Sequence, residues 1–353
     1  MRWSERARAA VGSVFAPQWR WLAVTVYFVA LATQVVLWGM PLERMRQTLW
    51  LLGALFVFCW GRPWRAQVRI LVDWLPFVGF LVLYDYTRGL ADKLGSPVHV
   101  TQPLAAEKWL FHGTVPTQWL QAHFYDSDTI HWWDVVTAVV YTSHFIVVWV
   151  VAVVLYLRSR QQWARWARRI LLLSYAGLVT YMIYPAAPPW YAARVGLIPD
   201  VQRIASRGLE GIHLHAAAAL IEQGQAQVNL FAAVPSLHAA FTAMLTVFVW
   251  GSLRWWGRSL MVLYTAAMAA SLVYGGEHYV VDALIGYVYV AAVVLVAWAW
   301  ERWRAGRRAA AAPPEEVVPE EVVPEPLQAA HERAEEDDVV ALSAGQEEDA
   351  RHG

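Results

Sequence analysis

Two short stretches, "PSLH" at 235–238 and "HYVVD" at 278–282, place two imidazoles and a carboxylate in segments that are otherwise apolar. An ionisable side chain inside a membrane-spanning helix costs a few kcal/mol or more, so such groups are candidates for chemistry. On a helix, His278 and Asp282 would share one face, the spacing an orienting carboxylate needs. A hydrogen bond from one ring nitrogen to that carboxylate would fix the tautomer and aim the other nitrogen outward. Two such histidines can divide phosphoryl chemistry, one attacking phosphorus and the other giving a proton to the departing oxygen. Gly275-Gly276 breaks the chain just upstream, and a helix beginning near Glu277 would add N–H groups and a partial positive charge that favour phosphate. Pro235 fits the first position of the helix that carries His238, with the polar Ser236 beside it. Alone, the His-x-x-x-Asp pair reads as a structural hydrogen bond between helices. His238 at the same depth and on the same face turns the reading toward function.

The elements that must position these residues belong to a chain of 353 residues that is 58% hydrophobic and 16% charged, with 22 Trp, too apolar for an ordinary soluble domain. Windows near 21–40, 69–87, 132–157, 168–184, 235–253, 258–275 and 277–303 approach or exceed the about 20 helical residues that cross a hydrocarbon core of roughly 30 Å. A shorter window lies near 47–60. The expected fold is all-α, a polytopic transmembrane helical bundle of about 8 spans, or seven if the short window does not cross. A core of six helices is expected within it, with interfacial helices in the loops. Formal net charge is zero, but 13 of the 28 acidic residues lie between Glu315 and Asp349. With both termini in the cytoplasm, 18 of the 28 Lys and Arg residues fall in cytoplasmic segments against 8 on the other face, with 2 more in the tail. The chain then divides into a basic cytoplasmic N-terminus (1–20), a transmembrane catalytic domain (21–303) and an acidic, Pro-containing cytoplasmic tail (304–353) expected to be disordered. Loops 88–131 and 185–234 become extracytoplasmic. Their aromatic and Pro residues suit the interface, and they look like a lid over a site at the helix starts near 235 and 277. Ala30-Leu31-Ala32 is a weak signal-peptidase match within a run read as an uncleaved span. Cys59, the single cysteine, excludes an internal disulfide and reads as a packing residue. Nothing suggests a nucleic-acid partner, and the expected location is a bacterial-type plasma membrane.

In spacing, residue types and membrane side, "PSLH" and "HYVVD" resemble the second and third signatures of the phosphatidic acid phosphatase type 2 superfamily. "YPAAPPWYA" at 184–192 is similar to the interfacial segment of its inositol phosphorylceramide synthase-like, inositolphosphotransferase branch. The resemblance implies that His278 is a nucleophile forming a phosphohistidine, that Asp282 orients it and that His238 protonates the leaving group. It also implies membrane lipids as donor and acceptor and transfer of a phosphoinositol-type headgroup. The alternatives are a lipid phosphate or polyprenyl pyrophosphate phosphatase of the same superfamily, and a non-enzymatic transporter or lipid-binding protein. The last has little support, since no inverted repeat is evident and the titratable groups gather at one face.

The departures from the phosphatase pattern bear on that choice. Ser271 is followed by Leu272 where the pattern has Arg, and Arg62-Pro63 lacks the upstream Lys and falls on the cytoplasmic side. Because the transition state spreads negative charge over its equatorial oxygens, another cation must take their place. Arg88 is the first candidate and Arg194 the second, with a snorkelling anchor as the bland reading of Arg88. Losing those cations while keeping both histidines fits a transferase better than a hydrolase. Ser236 is a candidate phosphate contact. Asp85 would pair with Arg88 or receive a substrate hydroxyl, and Glu277 would be an N-terminal helix charge or hold an acceptor hydroxyl. His144 reads as a buried histidine bonded to a neighbouring helix, with a proton relay as the alternative, and Asp73 as a solvated residue near the cytoplasmic end. His112, His123, His131, His213 and His215 show no metal-ligand spacing. No metal and no cofactor are expected, and the oligomeric state is open.

Overall fold

The computed structural model describes residues 17–38, 44–91, 96–215, 217–219, 221 and 229–310. Expectations for residues 1–16 and for the acidic tail beyond 310 lie outside the described residues. The long helices are α1 (Arg20–Trp38), α2 (Arg44–Phe58), α3 (Trp64–Ala91), α6 (Trp132–Arg158), α7 (Arg160–Ile183), α9 (Leu237–Val249), α10 (Trp255–Tyr274) and α11 (Val280–Ala310). The loops carry the short helices α4 (Thr101–Leu110), α5 (Pro116–Phe124) and α8 (Pro189–Arg194), so the expected all-α bundle with helical loops is what forms. Among the described residues the only β pairing is a pair of isolated bridges, His99 with Ala186 and Ala186 with Ala232.

By length and composition, three helices can cross a membrane, over Trp64–Gly89, Trp132–Arg158 and Val280–Arg308. Shorter apolar helices cover Arg20–Val35, Thr48–Phe58 and Leu237–Ser252. Helix α7 falls outside both groups because its first turns carry Arg160, Arg165, Arg168 and Arg169. Its start lies eight residues before the expected window. Ser159 alone links α6 to α7 and caps the second helix, accepting from the Gln162 N–H at 3.4 Å. The early turns then bury Trp163, Trp166 and Ala167, which the charged composition of the segment obscures. Asp73 is also not solvated: its carboxylate accepts from Arg160 Nε at 2.6 Å and from the Tyr156 hydroxyl at 2.9 Å, tying α3 to the α6–α7 corner.

The core is aromatic. Trp74 packs on Trp163 with ring centroids 5.5 Å apart, and Phe77 meets Trp149 at 5.8 Å. Leu173, Leu237, Ala240 and Met244 continue this cluster toward the site, and Cys59 is buried within it. The opposite faces of the same helices expose Val72, Leu75, Val288 and Leu295. Apolar surface on that scale requires lipid rather than water, so this is an integral membrane protein. The chain divides into two compact units, Met1–Trp298 and Ala299–Gly353. In the second, Arg304 and Arg307 lie over the rings of Trp300 and Trp303.

Candidate active site

Helix α9 begins at Leu237, and Ser236 rather than Pro235 is its boundary residue. The fully buried Ser236 oxygen accepts from the Ala239 N–H at 3.5 Å, a weak N-cap, so the structure uses this side chain to start the helix. Its backbone N–H donates to the Asp282 carbonyl at 3.0 Å, joining the two signature segments directly. Gly286 permits this closeness, because a Cβ there would lie 2.6 Å from the Ser236 carbonyl oxygen. From α7, the Tyr181 hydroxyl donates to the Pro235 carbonyl at 2.7 Å. His238 is thereby held in the first turn of α9, with its ring centroid 5.9 Å from that of His278.

The helix carrying Asp282 begins at Val280, later than the Glu277 start expected from sequence, so His278 lies just outside it. The cause is local. Asp282 Oδ2 accepts from the Tyr279 N–H at 2.8 Å, an acidic side chain reaching back three residues to end the turn. The same oxygen lies 3.5 Å from His278 Nδ1, while the Ala233 carbonyl is closer, at 3.0 Å. A carbonyl oxygen can only accept, so Nδ1 carries a proton, and in the neutral ring the lone pair is on Nε2. His278 is 6% exposed and Asp282 fully buried. The carboxylate stands beside a ring that a bond at Nε2 would make cationic.

A second carboxylate holds this helix from outside. Glu107, on α4 and fully buried, accepts from the N–H groups of Val280 and Val281, each at 3.0 Å. Two of the donors at the start of α11 are therefore satisfied in trans. Burial pushes the Glu107 carboxyl above its ordinary range and the Asp282 charge pushes the same way, against the downward pull of the two N–H groups.

Arg88, in the last turn of α3, lies beside the Tyr84 ring at 5.7 Å and within electrostatic range of both Tyr181 and His238. Its Nε is buried and has no hydrogen-bond partner among the described residues. Asp85 lies three residues earlier and adds an attractive field at the guanidinium. Arg194 is exposed at the end of α8, and among the described residues no contact joins it to the histidines. Arg203 instead lies within electrostatic range of His238. Glu277 precedes the helix, so it is no N-terminal helix charge. It forms a two-pronged ion pair with Arg203, at 2.8 and 3.0 Å.

Sequence reasoning missed Arg203, Glu107, Tyr181 and the Ala233 carbonyl, and none of them stands at a spacing that marks it. His144 is nearer the chemistry than expected, its ring centroid 4.3 Å from His238 and 5.4 Å from Phe241. A polar residue in an apolar span was the available signal. His123 and His131 stack on Trp119 and Trp133 in the loops. Among the described residues, no group of three or more His, Cys, Asp or Glu is arranged to hold a metal ion.

The sequence profile of a family described as the PAP2 superfamily matches residues 104–309. The phosphoinositol dihydroceramide synthase of Bacteroides thetaiotaomicron is 29% identical over 253 residues, covering 67% of this chain and 79% of that protein. No solved structure matches.

Proposed function

Because the chain belongs to the PAP2 superfamily and is an enzyme of lipid phosphates, we propose that it transfers a phosphorus-bearing headgroup of phosphoinositol type between lipids through a phosphohistidine on His278. The carrying observation is the 5.9 Å pairing of the two imidazoles, with Nδ1 of His278 engaged by the Ala233 carbonyl and no hydrogen bond to its Nε2 among the described residues. In the first half-reaction Nε2 bonds to phosphorus, the bond from phosphorus to the donor lipid's alcohol breaks, and His238 gives that oxygen its proton. The His278 ring is then cationic, and Asp282 faces its Nδ1–H. In the second half-reaction the acceptor lipid's hydroxyl gives its proton to His238 and bonds to phosphorus, and the bond to Nε2 breaks. Both imidazoles return to their starting states, so no external proton is consumed.

Arg88 is the cation for the phosphate oxygens in this scheme, since its buried Nε has no hydrogen-bond partner among the described residues and its charge acts on His238. The relative's name supports phosphoinositol as the group moved and a ceramide-type lipid as acceptor. We place the site at the extracytoplasmic face of an eight-span bundle with both termini in the cytoplasm, a reading supported by the Lys and Arg distribution. Purified protein given phosphorus-labelled phosphatidylinositol and dihydroceramide is expected to move label into a new lipid. Label accumulating as free water-soluble phosphate, with none in lipid, would replace the transferase with a phosphatase.

A further inference from the structure

In the transfer proposed above, the polyol stays on phosphorus through both half-reactions while the two lipid alcohols exchange, so the protein must hold the headgroup beside His278 throughout. We infer that Trp190, Arg203 and Glu277 form that headgroup subsite and that its ligand is a neutral polyol ring with vicinal hydroxyls, carried on the phosphate. The inference rests on the transferase reading for its place in the reaction, but the recognition itself does not require turnover.

Arg203 and Glu277 neutralise one another through their two-pronged pair, with side chains 29% and 10% exposed. A neutral pair adds no net charge for a phosphate. It does offer donors and acceptors side by side, which suits a diol whose hydroxyls accept from the guanidinium and donate to the carboxylate. The Arg203 guanidinium carbon stands 5.3 Å from the centre of the Trp190 ring, which adds an aromatic face to the pair. Trp190 Nε1 is buried and has no acceptor among the described residues, a donor that a ligand hydroxyl would satisfy.

These side chains are held by fixed backbone. The Trp190 N–H donates to the Gly276 carbonyl at 3.4 Å, and the Ile204 N–H donates to the Gly275 carbonyl at 3.1 Å. Gln121, reaching in from α5, donates to the carbonyls of Gln202 and Tyr274 at 2.9 and 2.7 Å and accepts from the Gln202 N–H at 2.8 Å. Gly276, at φ +76°, leaves no room for a Cβ, which would lie 2.5 Å from the Gln202 carbonyl oxygen. The loops bearing Arg203 and Glu277 are thus clamped before any ligand arrives. Glu277 is next in sequence to His278, and Arg203 lies within electrostatic range of His238, which places the pair near the two imidazoles.

The test is equilibrium binding to the purified full chain in lipid nanodiscs, with myo-inositol 1-phosphate, glycerol 3-phosphate and inorganic phosphate as probes. Wild type is expected to bind the inositol phosphate at least about tenfold more tightly than the glycerol phosphate, a preference set by hydrogen bonds that only the ring can complete. Glu277→Gln and, with the aromatic ring kept, Trp190→Phe are each expected to shrink that ratio toward one. Equal binding of both sugar phosphates by wild type, or an unchanged ratio in both variants, overturns the subsite. The outcome is separable from the transferase reading. Inositol preference without lipid turnover would sink the transfer scheme alone, and turnover without preference would sink the subsite alone.

Discussion

In the proposed transfer the attacking nitrogen of His278 is selected by two acceptors at Nδ1, and they do different work. The Ala233 carbonyl, the nearer at 3.0 Å, fixes the tautomer, while Asp282 at 3.5 Å supplies charge that matters once the ring becomes cationic. Removing the charge alone therefore leaves the tautomer in place. Asp282→Asn is expected to slow transfer by about 10- to 100-fold, well short of the roughly 10⁴-fold losses seen where the carboxylate alone sets the tautomer. Single-turnover labelling checks this, and a loss as large as that of His278→Ala would mean that the carbonyl does not orient the ring. His238, His278 and Asp282 were legible in the sequence because ionisable groups in apolar segments are costly and stand out. Arg203 and the Ala233 carbonyl were not, since a loop cation and a backbone oxygen acquire meaning only from what tertiary packing brings beside them.

The elements around these residues are legible to different degrees. Apolar runs fixed the positions of α1, α3, α6, α9 and α10 to within a few residues, because burying or lipidating an apolar helix leaves a direct signal in composition. The start of α11 was misplaced, since Asp282 turns its carboxylate back on Tyr279 and Glu107 from a distant helix caps the next two N–H groups. A cap supplied in trans across 173 residues has no local pattern. It does have a pH signature. The native Glu107 carboxyl is raised above its ordinary value, so its contribution to stability is full below about pH 4.3 and is lost as pH rises through the native value. Glu107→Gln cannot titrate and replaces one of two acceptor oxygens, which costs a constant of about 1–3 kcal/mol. Thermal unfolding in detergent is expected to show the advantage of wild type over the variant shrinking as pH rises from about 4 to 7. An advantage that grows over this range would contradict the assignment of Glu107 as a buried, raised carboxyl.

At the scale of the whole molecule, apolar helix faces suited to lipid surround an aromatic core, and the polar groups of the site come from helices, His238, Asp282 and Arg88, as well as from the loops that carry His278, Arg203 and Glu277. Composition alone made the membrane bundle legible, but it carries no sign of the group that is moved, because the proposed headgroup subsite draws on loop residues, Trp190, Arg203 and Glu277, rather than on the spans. In the proposed reaction this scaffold passes a phosphorus group between two lipids by way of one nitrogen atom. Rapid acid-free quenching after mixing with phosphorus-labelled donor lipid, followed by mass mapping of the peptides, tests it most directly. Acid-labile label is expected on His278, absent in His278→Ala and discharged into a new lipid when dihydroceramide is added. Turnover that persists in His278→Ala, or label on any other residue, would contradict it.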